Sequence, residues 1–170
     1  GYYWYDPEAG GHTWDDFALS MYQGTGATDW SDYQVVTRIR LREDRLGGVW
    51  IRGSYQGGQL GGYYVHIQPR DDFVYLWRFP TGATRPDQAS IVTKNDYGPK
   101  IDIQAWYDLK VVAQGNNIQV WLKSAGQPAS EYRSIINWTD SNSTWMKGTV
   151  GFSAYKTFAV YDEIAVTAYP

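Results

Sequence analysis

At 170 residues the chain is long enough to bury a core, and its 15 Lys and Arg against 18 Asp and Glu leave a formal net charge of only −3. The basic residues are scattered rather than striped, which argues against nucleic acid, and the absence of cysteine excludes disulfides, thiolate metal sites and cysteine nucleophiles. Aromatic residues make up 17% of the chain, with 9 Trp and 15 Tyr, so an exposed ring patch is expected beside a ring-rich core.

Alternation of apolar and polar residues with a period of two dominates from Phe17 onward. It predicts strands at Phe17–Tyr22, Tyr33–Leu41, Gly48–Tyr55, Gly62–Gln68, Phe73–Phe79, Ala89–Thr93, Trp106–Gln114, Ile118–Ser124, Thr149–Tyr155 and Ala159–Thr167. Between them stand turn formers: Gly24-Thr-Gly, Gln56-Gly-Gly, Pro69-Arg-Asp-Asp and Gly115-Asn-Asn. The clearest hairpin joins Leu109-Lys-Val-Val to Ile118-Gln-Val-Trp-Leu through Gln114-Gly-Asn-Asn. No helical stripe and no internal repeat interrupts this pattern. The reading is all-β, a two-sheet antiparallel β-sandwich occupying 1–170 as one domain. No apolar run approaches the ~18 residues of a membrane span. The chain opens on Gly1 without a leader pattern, which reads as an excised module or mature product.

The predicted strands from Gly48 to Phe79 carry the functional signal. Successive strand side chains point to opposite faces. With Val49, Ile51, Val65, Ile67, Val74 and Leu76 inside, Trp50, Arg52, Tyr64, His66, Gln68, Tyr75 and Trp77 share the outer face. Solvated sheet faces usually carry Thr, Lys, Glu and Ser. Rings offer apolar surfaces to sugar C–H groups, and a guanidinium offers a fork of donors to hydroxyls, so this set reads as a carbohydrate-binding face. The competing reading is an aromatic face covered by a long loop or another domain.

Catalytic patterns are sparse. Glycoside hydrolysis needs two carboxylates about 5 to 9.5 Å apart across one bond. The only glutamates are Glu8, Glu43, Glu131 and Glu163, and they do not form the Glu-x-Asp-x-x-Glu strand of sandwich glucanases. The pairs Asp15-Asp16 and Asp71-Asp72 read as turn or surface acids. His66 is the one histidine within a predicted strand; a hydrogen-bonding ligand contact, a structural role and a catalytic base all remain open for it.

The order of motifs resembles a known superfamily. Trp30-Ser-Asp-Tyr-Gln-Val-Val-Thr-Arg-Ile-Arg-Leu, Gly47-Gly-Val-Trp-Ile-Arg and Gly62-Tyr-Tyr-Val-His-Ile open the pattern. Trp106-Tyr-Asp-Leu-Lys-Val-Val, Gly148-Thr-Val-Gly-Phe-Ser-Ala-Tyr and Val160-Tyr-Asp-Glu-Ile-Ala-Val close it. This resembles the concanavalin A-like (laminin G-like) jelly roll, and within it the family 66 carbohydrate-binding modules and the related 3-keto-glycoside hydrolase-type domain. The resemblance implies a non-catalytic module, monomeric, that binds a polysaccharide such as a fructan or plant cell-wall glycan. It would target an appended hydrolase in a larger secreted bacterial protein. It also implies Arg52 at the ligand surface and a structural calcium on Asp162 with carbonyls from near the N-terminus. The alternatives are a 3-keto-glycoside hydrolase or polysaccharide lyase using His66, and a laminin G-like protein-adhesion domain.

Overall fold

The computed structural model describes residues 3–4 and 17–170. Twelve strands run in chain order: β1 (Tyr3–Trp4), β2 (Phe17–Met21), β3 (Tyr33–Leu41), β4 (Leu46–Gln56), β5 (Gln59–Gln68), β6 (Phe73–Ala83), β7 (Ser90–Asp96), β8 (Trp106–Gln114), β9 (Asn117–Ser124), β10 (Arg133–Thr139), β11 (Thr149–Tyr155) and β12 (Ala159–Ala168). They form two six-stranded sheets. Sheet A has the order β1-β12-β3-β8-β9-β10, and sheet B the order β2-β11-β4-β5-β6-β7. All pairings are antiparallel, which makes the chain the two-sheet antiparallel sandwich that the alternation predicts.

The period-two pattern becomes layers. In β3 the buried set is Tyr33, Val35, Thr37, Ile39 and Leu41, with the intervening residues half-buried. Facing them across the sandwich are Val49, Ile51, Tyr63, Val65, Ile67, Val74 and Leu76 of sheet B, in one continuous inter-sheet core. Each fully buried aliphatic there contributes about 1.5–3 kcal/mol of apolar burial. The edges of the two sheets are tied where the Asn95 amide on β7 donates to the Ile135 carbonyl on β10.

Two departures from the predicted elements have local causes. Strand β10 is absent from the predicted set because its alternation breaks. The register against β9 shifts between Ser134 and Ile136, so Ile135 and Ile136 are both buried despite being adjacent. Strand β6 continues through Pro80 to Ala83 although proline suggests a stop. Phe79 pairs with Gly62 and Ala83 with Leu60, so Pro80 falls inside an irregularity where the ladder needs no donor from it.

Candidate functional site: a ring ladder on the outer face of sheet B

Strands β4, β5 and β6 place their off-core residues in register. Trp50 lies opposite Tyr64, and Tyr64 opposite Trp77; one row along, His66 lies opposite Tyr75; beyond that, Gln68 lies opposite Phe73. The rings form a ladder. Trp50 stacks on Tyr64 (centroids 5.2 Å), Tyr64 on His66 (5.3 Å), and His66 on Tyr75 (4.8 Å, planes 7° from parallel). Trp77 meets His66 edge-on at 5.3 Å. At the far end Lys94 of β7 sits with Nζ 4.9 Å from the Phe73 centroid and 5.3 Å from that of Tyr75.

The expectation that this face is displayed to solvent needs correction. Trp50, Tyr64 and His66 are 0% exposed. Trp50 and Tyr64 belong to a second apolar cluster with Leu46, Leu60, Phe79 and Ala83, against which Leu19, Met21, Tyr55, Trp77, Ala89 and Tyr155 pack. Only the β6 end stays open: Gln68, Phe73 and Trp77 are half-buried, Tyr75 is buried with 7% of its surface left and Lys94 is exposed. Phe73 and Lys94 were not among the predicted site residues. Phe73 has the right parity but stands at a strand start, and Lys94 comes from the neighbouring strand.

Polar groups in the ladder divide into tied and untied. Trp50 Nε1 donates to Ser153 Oγ at 2.9 Å, and the Tyr64 hydroxyl donates to the Ser153 carbonyl at 3.0 Å. The Tyr75 hydroxyl donates to Asp71; burial, reinforced by that carboxylate, pushes its pKa to about 12. Neither ring nitrogen of His66 has a hydrogen-bond partner in the protein, and nor does Trp77 Nε1. Burial pushes His66 down to about 3, offset only partly by the neighbouring Ile67 backbone, so the imidazole is neutral at ordinary pH. A sealed, stacked imidazole with no nucleophile or acid beside it lacks the reach of a general base.

Arg52 departs from the predicted face altogether. The β4–β5 register shifts between Ile51 and Ser54, the β11–β4 register shifts between Thr149 and Gly151, and Arg52 itself has φ 49°. This bulge breaks the parity with Trp50. The side chain, 1% exposed, turns to the end of the sandwich. Nε and Nη2 donate to the Ser31 carbonyl at 3.1 and 2.9 Å, and Nη1 donates to the Trp145 carbonyl at 3.0 Å. The Arg52 amide donates to the Tyr33 hydroxyl at 2.6 Å. Gly148 is needed here: at its φ of +147° a Cβ would stand 2.4 Å from the Arg52 carbonyl carbon. Arg52 is therefore a clamp joining three chain segments, not part of the ring face.

Asp162 lies on the outer face of the other sheet, in a cross-strand row Asp162–Arg38–Asp108–Lys123. Its Oδ1 accepts from the Glu163 amide, and its carbonyl accepts from Thr37 Oγ1. Calcium needs several converging oxygens. Here one carboxylate faces a guanidinium, and among the described residues no cluster of three His, Cys, Asp or Glu side chains forms. The expected N-terminal carbonyls fall in Gly1–Trp14, which apart from Tyr3–Trp4 lies outside the described residues. Among the described residues no helix is long and apolar enough to cross a membrane.

Comparison with solved structures agrees with this architecture. The chain is similar to a family 66 carbohydrate-binding module from Bacillus subtilis (TM-score 0.72, 21% identity, covering 99% of this chain and 92% of that one). It is also similar to sheep galectin-11 in complex with glycerol (TM-score 0.55, 12% identity, 88% of this chain and 96% of that one). An alginate lyase A1-II′ variant matches with TM-score 0.59 and 10% identity over 99% of this chain and 79% of that one. These likenesses show the jelly-roll sandwich fold, which hosts binding proteins and enzymes alike. No family model and no curated protein sequence matches the chain.

Proposed function

We propose that the chain is a non-catalytic carbohydrate-binding module that holds a polysaccharide against the β6 end of the sheet B ring ladder. The supporting observation is the arrangement there. Phe73, Tyr75 and Trp77 supply rings at graded depth, and Gln68 and Lys94 stand at the rim. Half-buried rings with a few convergent donors are the composition that sugar rings require. Trp50, Tyr64 and His66 serve as the rigid floor that fixes the exposed rings. The structural neighbours named as a carbohydrate-binding module and a galectin support the same reading. Like a targeting module, it would raise the effective concentration of polymer near an appended catalytic domain in a secreted protein.

Binding is preferred to catalysis because His66 is sealed in the ladder and Asp71, the carboxylate tied to the ladder's Tyr75, is committed to that hydroxyl. The test is affinity electrophoresis of the 170-residue chain in gels containing levan, inulin, xylan, pectin or β-glucan. Retardation by one polymer class supports the reading. Unretarded migration in all of them overturns it.

A further inference from the structure

The outer face of sheet A carries a second set of groups that the ring ladder leaves unused. At one end of that face an open cavity of about 560 Å³ is lined by Arg38, Trp106, Asp162 and the turn Ser124–Gly126. Its size is that of a small-ligand site, in the range of about 300–1,000 Å³.

The lining is held in place by neighbours. Arg38 Nε donates to Asp108 at 2.9 Å and Nη1 to Glu163 at 2.7 Å, which fixes the plane of the guanidinium. Asp108 is in turn buried against Lys123. That leaves Arg38 Nη2 without a partner among the described residues. Asp162 spends Oδ1 on the Glu163 amide and keeps Oδ2 unengaged. The Trp106 indole is half-buried and packed by Arg40, whose guanidinium carbon is 4.7 Å from the ring centroid. Arg40 Nε is itself buried without a hydrogen-bond partner. The cavity thus gathers a clamped donor, an open carboxylate oxygen, the exposed Ser124 and an indole fixed from one side.

Around the cavity the charges balance, since Arg38, Arg40 and Lys123 stand against Asp108, Asp162 and Glu163. A strongly charged ligand gains little from such a field. A neutral ring with vicinal hydroxyls uses every element: C–H groups on the indole, and hydroxyls bridging a guanidinium donor and a carboxylate acceptor. We propose that this cavity is a second sugar-binding site, for one neutral pyranose or furanose unit, on the sheet opposite the ring ladder. This inference rests on the carbohydrate-binding reading above. Because the two faces point away from each other, the module would engage two separate stretches of polymer and gain avidity from them.

The experiment is a titration of the isotope-labelled chain with levan-, xylo- and β-gluco-oligosaccharides, followed by backbone amide and indole N–H shifts. The expected result is movement of the Ser124–Gly126 amides and the Trp106 indole in wild type, persisting in Trp77→Ala and lost in Trp106→Ala. Calorimetry should give two sugars per wild-type chain and one per variant. If sugar binds but these signals stay still and the stoichiometry is one, the second site is overturned while the ring-ladder site stands. If only these signals move and Trp77→Ala changes nothing, the second site stands and the ring-ladder reading falls. If no oligosaccharide moves any signal and no polymer retards the chain, both are overturned. Following wild type avoids dependence on whether Trp106→Ala folds.

Discussion

His66 and Tyr75 lie ring on ring across β5 and β6, with centroids 4.8 Å apart and planes 7° from parallel. The imidazole has no hydrogen-bond partner in the protein, and burial holds its pKa near 3. In the unfolded chain the same group titrates near 6.5. The unfolded state therefore binds the proton first as pH falls. The native state is penalised progressively from pH about 6.5 down to about 3, by roughly 1.4 kcal/mol per pH unit at the steepest.

His66→Phe preserves a flat ring and removes the titration. Between pH 7 and pH 5 wild type should lose on the order of 2 kcal/mol more stability than the variant. Urea midpoints at the two pH values check this. Parallel pH dependence in both proteins would show that the imidazole is not sealed.

Arg52→Ala is expected to unfold the sandwich end rather than merely weaken sugar binding. The substitution strands the Ser31 and Trp145 carbonyls and removes a buried guanidinium that holds three segments. The cost should be on the order of 3 kcal/mol. Arg52→Lys should recover little of it, because an ammonium lacks the planar fork that reaches both carbonyls. Chemical denaturation measures the loss. Wild-type stability in Arg52→Ala would restore Arg52 to the ligand surface.

These contrasts show what the sequence makes legible. The two-sheet sandwich follows from alternation, because β3 obeys it residue by residue and β9 does so over most of its length. The shared face of Trp50, Tyr64, His66, Tyr75 and Trp77 follows from the same parity. Arg52 does not, because one bulge residue at positive φ reverses parity and no local residue pattern announces it. Nor does the depth of the face follow. Leu19, Met21 and Tyr155, distant in the chain, pack against the cluster that includes Trp50 and Tyr64, and period-two reasoning contains nothing about such long-range cover. The Trp106 cavity escaped for a related reason: its lining joins β3, β8, β12 and the turn after β9.

Asp140 anchors the turn after β10. Its carboxylate accepts from the Tyr63 hydroxyl, from the Asn142 amide at 3.0 Å and from the Thr144 amide at 2.9 Å. Burial alone would raise its pKa, but the hydrogen bonds from Tyr63 and Thr144 outweigh that and hold it at about 2. Its contribution is complete above the unfolded value near 4 and disappears as pH falls toward 2. Asp140→Asn should lower the midpoint at pH 7 by an amount worth about 2 kcal/mol, with the gap closing in acid. A gap that is constant from pH 7 to pH 2 would contradict this account.

Catalytic turnover is expected to be absent from the 170-residue chain. Incubation with the retained polymer should release neither reducing ends nor unsaturated products absorbing in the near ultraviolet. Product formation that disappears in His66→Ala would convert the module into an enzyme.

The most direct measurement is affinity electrophoresis of wild type and Trp77→Ala in the polysaccharide that retards the chain most. Trp77 is half-buried, lies at the open end of the ladder and meets His66 only edge-on, so its loss should leave the fold intact. Trp77→Ala should melt within a few degrees of wild type and bind at least about tenfold more weakly, the weight of one ring contact. Equal retardation of the two proteins would contradict a sugar site on the sheet B ring face.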